Sequence, residues 1–396
     1  MMNLRKHEWA SELVTAIARV GHSFPSRPDL RGVEIFQHYF DAEGRFTDLD
    51  RRDGACSRRE LLVRYLLLNA VLDQGPDTTG VRMLLVQVTN ELYRREVRFL
   101  HRPEDFFREL GIAVDQITDV HKAVTKMRAA QWAEANQSRA SKYNLFLDNT
   151  RQVLGYAMFR WGTSLAVPLL LTKDAPDGSD TSRALLDYLQ SWPSAEIMSQ
   201  QVKDHNRYGL GKAIGDKAAH LFAKWIVYSY ALSTRDSPSW GPYSFEVPFD
   251  SNAGRVLWRT GFLLQWASEE EYRKWEVIQP GRGKGGLHYL RITNIRSKGS
   301  TIAAANANLV AAYQDLCVNH LRTHRKLPKK IEIQRIPLAL LLSGRTHTPG
   351  ELDDGLMYIG TEFCLNHGEP LCGACPIAPL CQGHVDNAGL IQSYRT

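Results

Sequence analysis

Ala213-Ile214-Gly215-Asp216-Lys217-Ala218-Ala219-His220-Leu221-Phe222 opens a segment that closes at Phe249-Asp250-Ser251-Asn252-Ala253-Gly254-Arg255-Val256-Leu257-Trp258-Arg259-Thr260-Gly261. The opening reads as a glycine turn feeding a helix, with Ala218, Leu221, Phe222, Trp225 and Ile226 on one apolar face. The close reads as a second helix begun by Asp250, an acid at the N-cap position. A helix start leaves backbone N–H groups without intrahelical partners, and a glycine there lets a phosphate come close enough to take them. Ile214, Gly215 and Asp216 are therefore candidate phosphate contacts through their backbone, with Gly211 a further one in the preceding turn. Lys217 lies among apolar positions, where a partly desolvated amine becomes a nucleophile. The plainer expectation is a lysine facing solvent, as is expected of Lys224 on the same helix. Asp250 either caps its helix and does no more, or also turns its carboxylate toward positive charge developing on a substrate.

Working outward, helical periodicity runs through most of the chain. Arg5 to Val20 repeats apolar residues at helical spacing, and Asp29 to Cys56 is irregular. Ser57 and Glu60 have capping-box spacing ahead of a long apolar run to Leu72, and Gln74-Gly75-Pro76-Asp77 stops it. Further helices are expected over Thr78 to Arg95, Pro103 to Leu110, Val114 to Ala135, Lys142 to Trp161 and Ser179 to Leu189. Two more flank a turn between Ile197 and Tyr230. No strand alternation appears in this half, so the expected class is all-α, a helical bundle with short connections. Beyond Gly281 the chain turns basic, with Arg282, Lys284 and Arg296 as candidate phosphate contacts inside a basic insertion at about 281–335. A short strand is expected within His288 to Ile295 and an alanine-rich helix from Thr301 to Leu321.

Four of the six cysteines fall near the end, at Cys364, Cys372, Cys375 and Cys381. Close thiolates set in glycine and proline turns are the donor set of a four-sulfur metal site. Such a set suits an iron–sulfur cluster or Zn2+, and the spacing does not choose between them. Cys56 and Cys317 read as buried free thiols.

Taken together and in this order, these segments resemble the helix-hairpin-helix DNA glycosylases with a C-terminal [4Fe-4S] loop, endonuclease III and its adenine-glycosylase relatives. Ala213 to Ala219 matches the second half of that family's hairpin, without its Pro-Gly pair. Phe249 to Gly261 matches its aspartate segment with no gap after the aspartate. Pro370, Cys372, Cys375 and Cys381 match the end of its cluster loop, and the spacer after Cys364 is one residue longer. The resemblance implies an all-α fold of two helical domains with a cleft between them. It implies a cluster domain built from 1–60 and 251–396, and an inserted domain, 61–250, that carries the hairpin. It implies a DNA glycosylase of base excision repair acting on double-stranded DNA with a damaged or modified base. Lys217 falls at the family's Schiff-base lysine, which carries AP lyase chemistry, and Asp250 at its catalytic aspartate. The four cysteines fall at the ligands of the [4Fe-4S] cluster, with Zn2+ the alternative occupant. Gln74 falls near the glutamine that enters the DNA stack beside the extruded base. A second register through Gly209-Leu210-Gly211 places Ala213 at the lysine position and implies a glycosylase without lyase action. A DNA-binding protein of the same fold, with a structural metal site and no chemistry, is the other functional expectation.

Composition sets the outer bounds. The 396 residues allow two domains, 43% are apolar, and the formal net charge is +6, which suits an acidic partner. No apolar run approaches membrane-spanning length, and Arg5 and Lys6 are not followed by an apolar signal segment. A cytoplasmic, nucleoid-associated monomer is the expectation.

Overall fold

The computed structural model describes residues 4–73, 78–117, 122–125, 145, 147–174, 184–205, 214–245, 247–248, 250–262, 281–282, 288–289, 346–365 and 369–385. In chain order the helices are α1 (Leu4–Ser23), α2 (Arg58–Leu72), α3 (Thr78–Arg94), α4 (Pro103–Glu109), α5 (Thr150–Trp161) and α6 (Thr163–Asp174). They continue as α7 (Leu185–Gln190), α8 (Ala195–Lys203), α9 (Asp216–Lys224), α10 (Ser251–Arg259), α11 (Pro349–Glu362) and α12 (Gln382–Val385). The described strands are two short antiparallel pairs, β1 (Arg52–Asp53) with β2 (Cys56–Ser57) and β3 (Gly281–Arg282) with β4 (His288–Tyr289). The protein is thus mostly α-helical. Among the described residues no helix is long and apolar enough to cross a membrane.

The chain forms two compact units. One draws on 1–26, 227–231 and 236–396, the other on 27–226 and 232–235. The resemblance implies a division at 60 and 250.

The unit formed mainly by 27–226 is built round α2. Every residue of α2 except Arg59 is buried, because α3, α6, α7 and α9 all pack on it. Its start is only half the expected capping box. Ser57 Oγ accepts from the Glu60 amide at 3.1 Å, but the Glu60 carboxylate turns away from Ser57. It takes the Leu185 and Leu186 amides at 2.8 Å each and Arg64 Nε at 2.6 Å. A buried glutamate thereby caps α7, whose own N-cap residue, Ala184, has no side chain able to do so. The run Leu165 to Leu171, which the sequence shows as apolar and interrupted by Pro168, is helical here as part of α6. Burial on all sides outweighs the one amide that proline removes. α5 begins later than the expected Lys142, at Thr150, where Asn149 and Gln152 form a complete capping box. Val114–Gln116 is a 3-10 turn, and most of the helix expected beyond it lies outside the described residues.

In the other unit α1 lies along α11. Glycines let the two backbones touch. A Cβ on Gly21 would sit 1.8 Å from the Glu351 carbonyl oxygen, and one on Gly355 would sit 2.0 Å from that of Ile17. α10 meets the far end of α11, where a Cβ on Gly360 would lie 2.8 Å from Cβ of Asn252. Helix α11 has no counterpart in the sequence expectations. Its start carries a full capping box, Thr348 with Glu351, and Pro349 in the first turn.

Candidate active site and metal-binding loop

Asp250 stands just ahead of α10. Its Oδ1 accepts from the amides of Asn252 at 2.8 Å and Ala253 at 3.0 Å, so it does cap the helix. One oxygen takes both amides. Oδ2 makes no hydrogen bond among the described residues, and the side chain is only part-buried. Capping and a second task for the same carboxylate are therefore compatible in geometry.

α10 connects this carboxylate to the cysteine loop through two buried arginines. Arg255, 2% exposed, donates from Nε to the Cys364 carbonyl at 2.5 Å and from NH2 to the Gly360 carbonyl at 2.5 Å. The same NH2 donates to Asn252 Oδ1 at 2.6 Å. Arg259 NH1 donates to the Leu365 carbonyl at 2.8 Å and reaches Cys364 Sγ at 3.5 Å. The Cys381 thiol donates to the Arg259 carbonyl at 3.5 Å, and the Gln382 amide to the Thr260 carbonyl at 3.2 Å. From the other side Trp9 of α1 donates to the Leu380 carbonyl at 3.0 Å. The sequence reading quotes Arg255 and Arg259 but assigns them no role. The signal was present, since two arginines one turn apart on a helix with buried apolar neighbours need acceptors.

Cys364, Cys372, Cys375 and Cys381 line one cavity of about 120 Å³, floored by Val256, Ile359 and Ile377. None of the four is in a disulfide, and neither is Cys56, which is buried; Cys317 lies outside the described residues. Burial, then the neighbouring cysteines, pushes the Cys375 thiol up to about 11. Burial also raises Cys381, with Cys364 and Cys372 adding to it. Half-buried thiols grouped round one cavity become thiolates when a cation neutralises them. Among the described residues, no three His, Cys, Asp or Glu side chains converge to hold a single metal ion. The cysteines share a pocket without meeting at one point. A lone tetrahedral zinc would need its sulfurs about 4 Å apart, given Zn–S bonds of about 2.3 Å. The donor set and the shared cavity suit a single thiolate-bound ion or a polynuclear cluster.

The other unit holds the glycine turn. Gly215 is the N-cap residue of α9, with φ −86° and ψ 179°, an extended conformation open to any residue. The fold does not require a glycine here, since a Cβ at this position would meet nothing within 4 Å. Among the described residues no side chain caps the start of α9, the place in a helix where backbone amides can meet an anion. Ile214 is buried and Asp216 is the first residue of α9. Lys217 is part-buried, and its Nζ donates to the Asp73 carbonyl, at the end of α2, at 3.2 Å. Lys224, expected to face solvent, is 0% exposed, since the packing of α9 against α2 and α8 encloses it. Arg282 lies in β3, paired with His288. Gln74, Gly211, Lys284 and Arg296 lie outside the described residues.

No family model matches this chain, and neither a curated protein nor a solved structure matches it.

Proposed function

We propose that the protein is a DNA glycosylase that cleaves the N-glycosidic bond of a damaged or modified base in double-stranded DNA. The observation that carries this reading is the build of α10. Its N-terminus presents a capping aspartate with one oxygen to spare, and its buried arginines hold a four-cysteine loop. A cap alone would not require a metal-binding loop fastened to the same helix, and a structural metal knot alone would not require the spare oxygen.

In the reaction, the C1′–N bond breaks and its electron pair leaves with the base, which takes up a proton. Positive charge collects on the sugar, and Asp250 Oδ2 stabilises it electrostatically. A duplex base must first leave the stack, which costs a few kcal/mol of unstacking. The backbone amides at the start of α9, from Ile214 through Asp216, hold phosphate without reading sequence. Water then attacks C1′, or Lys217 Nζ does. In the second case the nitrogen loses its proton, the C1′–O4′ bond opens, and a Schiff base remains. Loss of a 2′ proton and of the 3′ phosphate then nicks the strand.

Cys364, Cys372, Cys375 and Cys381 would hold a [4Fe-4S] cluster, which supplies a rigid cross-link to a loop with little core of its own. The decisive experiment incubates the full-length protein with duplex oligonucleotides, each carrying a different altered base, and measures released base. Release that survives in Asp250→Asn removes the aspartate from the reaction. Absence of release from every substrate, with DNA still bound, turns the reading to a binding protein of the same build.

A further inference from the structure

In the unit built round α2, the far end of that helix gathers buried polar atoms that have no hydrogen-bond partner among the described residues. Asn69 is 2% exposed and Asp73 1% exposed, and they stand one turn apart on the same face. Asn69 Oδ1 and Asp73 Oδ1 are both buried without a hydrogen bond. Trp225, 0% exposed and beyond the end of α9, has an unpartnered indole Nε1–H. Arg82 ties the group together. Its NH2 donates to Asp73 Oδ2 at 2.7 Å, its guanidinium lies 5.5 Å from the Trp225 ring centroid, and its Nε is also unpartnered. Lys217 Nζ donates to the backbone carbonyl of the same Asp73.

A buried polar group left unpaired costs about 1–3 kcal/mol. Native proteins keep few of them, and each calls for an occupant or a task. Here two acceptors and one or two donors share a small region beside the candidate amine, and none of them faces solvent. Resting on the glycosylase reading, we infer that Asn69, Asp73 and Trp225 form the base-reading subsite, and that it selects a base of guanine type. The argument is one of counting. Two acceptors beside a donor complement an edge with two N–H donors beside a carbonyl oxygen. The guanine edge is O6, N1–H and the 2-amino group. Uracil and thymine offer one N–H between two carbonyls, and adenine and cytosine offer one amino group beside a ring acceptor. Arg82 holds the Asp73 carboxylate in place and lies over the Trp225 ring, so it acts as a positioning residue. The buried atoms become accessible only as the base enters, so binding and opening are one event.

The test uses the full-length protein with 9-methylguanine and 9-methylhypoxanthine, which differ only by the 2-amino group, and with 9-methyladenine. The measurements are calorimetric binding and the thermal midpoint. The expectation is that 9-methylguanine binds at least about tenfold more tightly than either of the others, since a site built for a donor rejects a ligand that lacks it. Asn69→Leu and Trp225→Phe should each remove most of that preference. Asn69→Leu should also raise the midpoint of the free protein by about 1–3 °C, because it deletes an unpaired acceptor. Equal binding of the three bases overturns the inference. So does a lowered midpoint in Asn69→Leu without base preference, which identifies an enclosed water as the occupant. The two readings fail separately. Base release from oligonucleotides with no preference for 9-methylguanine keeps the glycosylase and discards this subsite. Selective binding of 9-methylguanine with no release from any oligonucleotide keeps the subsite and discards the chemistry.

Discussion

With Oδ1 committed to the amides of Asn252 and Ala253, Asp250 has one oxygen left, and Asp250→Asn separates capping from the proposed catalytic role. Asparagine caps a helix about as well as aspartate, so the stability change should stay within about 0.5 kcal/mol. Loss of the charge facing the sugar should cut base release by about 100-fold or more. Equilibrium denaturation and a single-turnover release assay, run on the same preparation, check both halves. Equal release by the two proteins would leave the carboxylate as a cap only. Lys217 is separable in the same way. Lys217→Ala loses one hydrogen bond to the Asp73 carbonyl, worth about 1 kcal/mol. Borohydride trapping of a covalent DNA complex should vanish in this variant, while base release persists within about tenfold by the water route. A trapped complex that survives the substitution means another amine forms it; the fully buried Lys224 on the same helix is then the next to replace. At this scale the sequence marks residue type and neighbourhood but not burial. Lys217 and Lys224 lie seven residues apart in similar company, and only packing shows which of them is enclosed.

Helices α10 and α11 carry the consequences of those residues into the element scale. Arg255 donates to three acceptors with one planar fork, a geometry that an ammonium cannot reproduce. Arg255→Lys should cost about 1.5–3 kcal/mol, the range for hydrogen bonds to a charged group. Metal retention and base release should fall together in this variant, whereas Asp250→Asn loses release alone. Full metal content with normal release in Arg255→Lys would break the proposed tie between loop and carboxylate. At the other end of the unit, Glu351 closes the α11 capping box and meets His22 Nδ1 at 2.7 Å and His347 Nδ1 at 3.2 Å. Burial raises its pKa, but the Thr348 amide and the two imidazoles lower it further, so the net shift is downward. A carboxyl held below its unfolded value, about 4.3, adds stability that is complete above that pH and fades as the pH falls through the lower folded value. Glu351→Gln keeps the capping geometry and removes the titration. Its acid-unfolding curve should therefore be flatter than the wild-type curve below about pH 4.3, with little difference at pH 7 beyond a constant offset. Parallel curves would exclude Glu351 as a source of acid sensitivity. The legible elements were those with a long apolar period or a strong stop, such as α2, α3 and α4. The start of α11 was legible too, in Thr348-Pro349-Gly350-Glu351, but its acidic Asp353-Asp354 pair and its glycines hide the buried face. Glu60 shows the limit of such signals, because Ser57-x-x-Glu60 has the right spacing and the carboxylate still goes to a helix 125 residues away.

For the whole molecule, the strongest expectation concerns what the cysteine loop binds, since the donor types were readable from spacing and the pocket they share was not. Pattern alone left zinc and an iron–sulfur cluster level. The fold adds that the four sulfurs line one cavity of about 120 Å³. It also adds that the loop is tied into the unit on two sides, by Arg255 and Arg259 from α10 and by Trp9 from α1. The short 3-10 turns of the loop, Cys372–Ala374 and Ala378–Leu380, bury none of their own residues, so a bound group would contribute much of its folding free energy. The full-length protein, purified without oxygen, should be brown and should carry about four iron and four sulfide per chain. Cys375→Ser should bleach it, and base release should decline with iron content across partly loaded samples, because the loop that loses order is held by the helix that presents Asp250. A colourless protein with about one zinc per chain would overturn the cluster and leave the thiolate site. Iron loss with undiminished release would show instead that α10 keeps its place without the loop, and that the two motifs share a unit but not a task.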